Sequence, residues 1–334
     1  NKINIVMNVN GYNVSTVGFS RSNSINKFFV RDYKNSIEIL PPNKIKNPTN
    51  KTKFNVPSMT LSANLATKFQ LFDPDKPFKN QIYLKIDSSV RLSQNLKLIG
   101  SYAIDIKNNF DLNRVSNSRL EHVRTDINQY LVEGRSGIES LYLEKYSNIY
   151  NKIYYRFYLG ILETMYSGLG FEALYQPFMS RIALGASINK VIKRGYKRNF
   201  ELMDYKTSTG FLSIYYAAPF YNYDLALHIG KYLAKDKGAT LEVRRTFDNG
   251  FSVGAFATLT NVSSADFGEG SFDKGLFFKI PFDSFTANNT KASFSTNIRS
   301  LQRDGGQRLN DFSGRLWHDL RSVRYDSFYN NKQR

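Results

Sequence analysis

Phe251-Ser252-Val253-Gly254-Ala255-Phe256-Ala257-Thr258-Leu259-Thr260 decides how this chain folds. In an extended chain, Phe251, Val253, Ala255, Ala257 and Leu259 fall on one face. Ser252, Gly254, Thr258 and Thr260 fall on the other, interrupted only by Phe256. A period of two means a strand with one apolar side. The same period holds upstream for Leu212, Ile214, Tyr216 and Ala218, and downstream for Leu276, Phe278, Ile280 and Phe282. Between them, Leu241, Val243 and Phe247 alternate with Thr240, Glu242, Arg244 and Thr246. Asp248-Asn249-Gly250 accepts positive φ and joins two of these strands as a hairpin. From Thr209 to Phe282 the chain therefore reads as an antiparallel meander, and the question is what its apolar face touches.

Working outward, Ile82, Leu84, Ile86, Val90 and Leu92 alternate with Tyr83, Lys85, Asp87, Ser89 and Arg91. A turn at Ser93-Gln94-Asn95 leads back into Leu96, Leu98, Gly100, Tyr102, Ile104 and Ile106. Residues 108–137 break the pattern. Strands resume near 138 and continue to about 301, roughly twelve in all, the meander expected of an up-and-down barrel. Residues 1–40 read as a small α/β fragment: a strand at Ile3–Met7, a turn at Asn10-Gly11, a strand from Tyr12 and a helical turn at Ser24–Phe29 with Ser24 as N-cap. Residues 41–80, with Pro41, Pro42, Pro48, Pro57, Pro74 and Pro77, read as a linker. The barrel is expected over 81–309. Residues 310–334 form a tail in which Leu316, Trp317, Leu320 and Val323 recur at roughly helical spacing, which predicts a short helix over Phe312–Tyr329.

The composition excludes several function classes. With no cysteine among 334 residues, disulfides and thiolate metal sites are ruled out. The three histidines, His122, His228 and His318, show no ligand spacing, and neither a metal nor a cofactor is expected. The net charge of +18 is spread along the whole chain; no basic stripe or helix-turn-helix pattern points to nucleic acid. No apolar run reaches the ~20 residues of a membrane-spanning helix. That leaves a barrel open, because its strands need only ~10 alternating residues each. The chain starts at Asn1, which reads as a mature or truncated piece.

A closed meander of about twelve strands is too wide for side chains alone to fill. Its apolar face meets either a second sheet or lipid. Three details favour lipid. Aromatics cluster near strand ends (Tyr154, Tyr155, Phe157, Tyr158; Tyr215, Tyr216; Phe220, Tyr221, Tyr223), as in interfacial girdles. Opposite charges such as Glu242 and Arg244 sit close together on the polar face, and Gly160, Gly185, Gly230 and Gly254 lie inside strands.

Seven runs occur together in order: His122-Val123-Arg124-Thr125-Asp126; Leu162-Glu163-Thr164-Met165-Tyr166-Ser167-Gly168-Leu169-Gly170; Phe171-Glu172-Ala173-Leu174-Tyr175-Gln176-Pro177; Gly230-Lys231-Tyr232-Leu233-Ala234-Lys235-Asp236-Lys237-Gly238-Ala239-Thr240; Arg245-Thr246-Phe247-Asp248-Asn249-Gly250; Phe267-Gly268-Glu269-Gly270-Ser271-Phe272-Asp273-Lys274-Gly275; and Arg303-Asp304-Gly305-Gly306-Gln307. On these runs the chain resembles the YjbH family of exopolysaccharide-biosynthesis proteins, to which the GfcD proteins of group 4 capsule operons belong. It departs from the family pattern at Glu121, where proline is expected, and at Lys235, where glycine is expected. The resemblance implies a transmembrane β-barrel in the outer membrane of a Gram-negative bacterium, with outer-membrane lipid, an anionic polysaccharide and other exopolysaccharide or capsule operon proteins as partners. It also implies a longer protein with two barrels, of which this would be the C-terminal one.

The candidate residues follow from the polar faces and turns. Glu163 and Glu172 flank a turn and are the carboxylates a glycosidase would need, but pairing with Arg156, Arg181 or other interior cations is the expected role. Asp236, Lys237 and Glu269 lie in loops open to a polymer, and Arg244, Lys279 and Arg299 on polar faces would favour acidic sugars. Arg124 with Asp126, and Arg303 with Asp304, are expected as buried ion pairs. The expected function is that of a passive conduit or export-complex component, not an enzyme; a polysaccharide-active enzyme using Glu163 and Glu172 and a plugged scaffold are the alternatives.

Overall fold

The computed structural model describes residues 2–20, 37–42, 49–50, 55–71, 78–112, 118–247, 249–268, 271–281, 293–299, 303–310 and 312–321. Ser24–Phe29, Glu269 and residues 322–329 of the predicted tail helix lie outside the described residues.

Two sheets form. The small one takes β1 (Lys2–Val9), β2 (Tyr12–Ser20) and β3 (Ile37–Leu40), all antiparallel in that order. The large one is a thirteen-stranded antiparallel meander in strict sequence order: β4 (Ser58–Leu71), β5 (Phe78–Arg91), β6 (Leu96–Asn108), β7 (Gly137–Ile149), β8 (Ile153–Ile161), β9 (Tyr166–Tyr175), β10 (Ile182–Arg194), β11 (Leu202–Ala217), β12 (Tyr223–Lys231), β13 (Lys237–Thr246), β14 (Ser252–Thr260), β15 (Asp273–Pro281) and β16 (Ser293–Arg299). Helices are short: α1 (Ile127–Glu133), α2 (Ser264–Phe267) and α3 (Arg315–Leu320).

Among the described residues the sheet is not closed: β4 and β16 are its two edges. With thirteen antiparallel strands these edges run in the same direction, so pairing between them would be parallel. The stretch read as linker carries β4, so the sheet begins at Ser58 rather than 81. Proline flanks β4 but does not enter it. Within the described part of the predicted tail helix, the helix α3 starts at Arg315 rather than Phe312, because Gly314 before it is left-handed (φ 86°); residues 322–329 lie outside the described residues.

The hairpin at the centre of the sequence pattern forms as expected, with Gly250 at φ 81° and its amide donating to the Phe247 carbonyl at 2.9 Å. Every other residue along the strands then turns the same way. One face collects Leu61, Leu65, Phe69, Ile104, Phe157, Leu159, Phe171, Leu184, Ile188, Leu212, Ile214, Ile229, Leu241, Leu259 and Leu276, all exposed; Leu212 reaches 70 %. The opposite face collects Gln81, Ser101, Glu144, Arg156, Glu172, Asn189, Thr209, Ser213, His228, Thr240 and Thr258, all buried, with Arg156 at 0 %. This inverts the usual soluble arrangement, in which large apolar groups go inside and charges stay out.

The aromatic residues divide. Tyr154, Tyr158 and Tyr215, expected in a girdle, point inward and are buried. Tyr175, Tyr216, Phe220 and Tyr221 do project outward at one end of the sheet, joined by Tyr150. That end, the compact end, carries the turns at 92–95, 150–152, 176–181, 218–222 and 247–251; the other, the long-loop end, carries turns at 162–165, 195–201 and 232–236 together with the long connections at 109–136 and 261–272. The small sheet sits at the compact end. Asn10 accepts a hydrogen bond from Lys97 Nζ at 2.7 Å, and the Tyr12 ring lies 5.0 Å from Tyr154. A Cβ on Gly11 (φ 91°) would stand 2.8 Å from Asn95 Cβ, so only glycine fits that contact.

Candidate functional site: the threaded interior

Polar side chains on the inner face cannot be left unpaired in a region closed to water. Some pair with one another, as Asn189 with Thr209 and Ser213 with His228 do, and five carboxylates, Glu163, Glu172, Asp224, Asp236 and Glu242, are engaged by one segment, residues 303–321, which runs along the inner face from the long-loop end to the compact end.

It is anchored first at Asp304. One carboxylate oxygen accepts the backbone N–H groups of Val123, Arg124 and Thr125 at 2.9, 2.8 and 3.0 Å, and the other accepts the Thr125 hydroxyl at 2.7 Å. Gly306 then donates to the Asp236 carboxylate at 2.8 Å, and Leu233 donates to the Gln307 carbonyl at 2.9 Å. Arg308 pairs with Glu242 of β13. Asn310 N–H donates to Glu163 at 2.9 Å, and the Tyr158 hydroxyl donates to the Phe312 carbonyl at 3.1 Å. Leu316 N–H reaches Glu172 at 3.2 Å. At the compact end Trp317 stacks on Tyr215 with ring centroids 5.0 Å apart and planes 14° from parallel. Arg321 closes the segment on Asp224 at 2.6 Å. Inner faces from β8 to β13 are thereby engaged by one stretch of chain.

Glu163 and Glu172 are both buried and both committed. The Arg124 guanidinium grips Glu163 at 2.5 and 3.2 Å, and Arg156 Nε donates to Glu172 at 2.7 Å. Each carboxylate also holds a backbone N–H of the threaded segment. Buried charges are stable only when paired and hydrogen-bonded in this way.

The expected ion pairs exchange partners. Arg124 binds Glu163 rather than Asp126; Asp126 binds Lys193 and the Tyr196 hydroxyl, the latter at 3.2 Å. Asp304 binds backbone amides rather than Arg303, whose guanidinium lies against Gly268. Arg244 donates to His318 Nδ1 at 3.1 Å and covers the Phe277 ring at 4.9 Å, while its expected partner Glu242 goes to Arg308. Asp236 is a buried loop carboxylate facing the segment, and burial raises its pKa. Lys237, next to Asp236, and Lys279 are exposed; Arg299 lies in β16 opposite Gly275. Glu269 is not among the described residues.

Sequence reasoning missed Arg308, Asn310 and Phe312, because no local pattern marks an extended segment that runs inside a sheet. It also missed Arg194, whose guanidinium donates to the carbonyls of Ile138, Glu163, Thr164 and Asn199 at 2.8–3.1 Å and ties the start of β7 to the turns at 162–165 and 195–201. One departure from the family pattern has a visible conformation: Lys235 sits at φ 69°, the region glycine enters without strain, with its ammonium 5.0 Å above the Tyr205 ring.

Beside the segment the inner face of β4–β7 leaves a cavity of about 550 Å³, bounded by Ser62, Asp87, Ser101, Ser140 and Tyr142 and by Asn310, Phe312 and Arg315 of the segment.

A family model described as "Exopolysaccharide biosynthesis protein YbjH" matches residues 1–321. Among curated proteins, the chain is similar to the "Uncharacterized lipoprotein YjbH" of Escherichia coli (strain K12), with 35 % identity over 245 residues. That alignment covers 71 % of this chain and 35 % of the relative, so the chain spans about a third of the relative's length. With a match running through both sheets and the threaded segment, the chain belongs to the YjbH family of exopolysaccharide biosynthesis proteins.

Proposed function

We propose that this chain is a membrane-embedded β-barrel unit of the outer membrane that serves as a plugged scaffold in exopolysaccharide assembly or export, working with other proteins of its pathway and catalysing no reaction of its own. The observation that carries this reading is the inversion of burial. An outer face rich in Leu, Ile and Phe surrounds an interior of buried Arg, Glu, Asn and Thr, as a sheet facing lipid requires. The E. coli relative is named a lipoprotein, which agrees with a place in the envelope.

A scaffold is favoured over an open conduit because residues 303–321 occupy the inner face. It is favoured over an enzyme because Glu163 and Glu172 are held by arginines and by backbone N–H groups. A general acid must be free to exchange its proton with substrate.

The test is Leu212→Arg. Leu212 lies midway along β11 on the outer face. Against lipid near the midplane an arginine costs about 2–4 kcal/mol; on a wet surface the change stays within about 0.5 kcal/mol. The expected result is loss of the protein from the outer-membrane fraction, with Thr209→Ser on the inner face as control. Normal assembly of the Leu212→Arg protein would sink the lipid-facing assignment.

A further inference from the structure

The inner face is not filled evenly. Over β7–β11 it carries Tyr146, Tyr154, Tyr158, Arg156 and Tyr215, which pack on the threaded segment. Across β4–β7 the residues that fall opposite one another are small. Ser62 pairs with Asp87, Asp87 with Ser101, and Ser101 with Ser140, making one row of short polar side chains over four strands. The adjoining row runs Thr60, Ser89, Ile99, Tyr142. Short side chains facing a segment that leans toward β8–β13 leave the cavity of about 550 Å³. Its size falls in the ~300–1,000 Å³ range of small-molecule sites.

We infer that this cavity is a saccharide-binding pocket, fitted to a short stretch of neutral sugar units rather than to an acidic one. The wall chemistry carries the inference. Hydroxyls and carboxylates line one side, and Tyr142 and Phe312, packed edge to face at 5.3 Å, form the other. A pyranose presents the same two surfaces: a rim of hydroxyls and an apolar C–H face. Ser101 is buried, and its hydroxyl makes no hydrogen bond among the described residues. A buried hydroxyl without a partner is costly, and a sugar hydroxyl would remove that cost.

The charge balance sets the class. The wall holds three carboxylates, Asp87, Glu139 and Glu163, against two cations, Lys85 and Arg315. Both cations are already engaged: Lys85 with Asp87 at 3.1 Å, and Arg315 with Asp319 at 3.1 Å. The carboxylates are engaged as well, Asp87 by Lys85, Glu139 by Lys68 and Arg198, and Glu163 by Arg124, so the wall offers a uronic acid no unpaired cation, whereas a neutral sugar needs none. The acidic polymer expected from Arg244, Lys279 and Arg299 does not suit this pocket, since none of those residues lines it.

The sugar class rests on the exopolysaccharide reading above; the pocket does not depend on where the protein resides. Saturation-transfer NMR on the purified protein in detergent, with maltotriose, N,N′-diacetylchitobiose and digalacturonic acid as probes, tests the inference. Transfer to at least one neutral probe, none to digalacturonic acid, and about tenfold or greater weakening in Ser101→Trp are expected. Ser62→Trp, on the exposed edge strand, serves the same purpose if Ser101→Trp does not fold. Transfer to no probe, preference for digalacturonic acid, or unchanged transfer in a folded tryptophan variant would each overturn the inference. Membrane fractionation of the same preparations keeps the outcomes apart. Outer-membrane protein without sugar transfer defeats the pocket alone, and sugar transfer by protein absent from that fraction defeats the barrel reading alone.

Discussion

Removing the Asp304 carboxylate tests whether the threaded segment is one cooperative element or a loose tail. In Asp304→Ala, the N–H groups of Val123, Arg124 and Thr125 lose their acceptor in a place where Val123 and Arg124 are buried. The Thr125 hydroxyl keeps an alternative, because His122 Nδ1 lies 2.8 Å away. Each buried donor left unpaired costs about 1–3 kcal/mol. Relaxation of the 118–126 loop recovers part of this, so the expected loss is about 3–5 kcal/mol, a large share of the ~5–15 kcal/mol that holds a typical domain folded. Asp304→Asn keeps an oxygen facing the amides and loses only the charge; charge-assisted bonds are roughly twice as strong as neutral ones, so it should cost about 1–2 kcal/mol.

The assay is the temperature at which the folded gel band converts to the unfolded one in detergent, together with the emission of Trp317. Trp317 is the single tryptophan and is 1 % exposed, at the end of the segment opposite Asp304. If the segment seats as a unit, Asp304→Ala lowers the conversion temperature strongly and shifts Trp317 emission to the red, while Asp304→Asn does so weakly. Equal effects from alanine and asparagine, or an unmoved conversion temperature in Asp304→Ala, would refute the reasoning that backbone capture at Asp304 anchors the segment.

Glu163→Gln should destabilise the protein by about 3 kcal/mol, because breaking a buried pair leaves Arg124 without its counter-charge. A fully stable Glu163→Gln protein that has lost a polysaccharide-cleaving activity would instead establish the enzyme reading. Tyr215→Ala removes the ring stacked on Trp317 and should cost about 3–5 kcal/mol with a red shift in emission; an unchanged spectrum would mean that Trp317 is not seated there. At Lys235, Ala should cost about 1 kcal/mol in thermal conversion, since it keeps the positive φ and loses the contact with Tyr205, whereas Gly should stay within about 0.5 kcal/mol because relief of strain offsets that loss. Equal effects from the two substitutions would remove the strain argument.

The meander was legible because alternation is a local property. Val253, Ala255, Ala257 and Leu259 report a strand without reference to anything distant, and Asn249-Gly250 reports its turn. β4 was hidden for a local reason too: Ala63 and Thr67 weaken its apolar face, and the prolines on either side suggest a break. The charged residues failed differently. Arg124 and Asp126, two apart in sequence, both find partners about 40 and 70 positions away, at Glu163 and Lys193. Charge pairing in a buried space depends on which side chains the fold brings within ~4 Å, and spacing along the chain carries no such information.

By itself the sequence determined the period of two, the meander order and the presence of one apolar and one polar face, because these follow from backbone geometry and neighbouring residues. Only the tertiary structure decided which face is buried. The strand alternation is identical whether the apolar side packs on a second sheet or stands exposed, and the choice depends on what occupies the polar side. Here residues 303–321 lie along that side and satisfy Glu163, Glu172, Glu242 and Asp224, so the polar face closes inward and Leu212 and its neighbours face out.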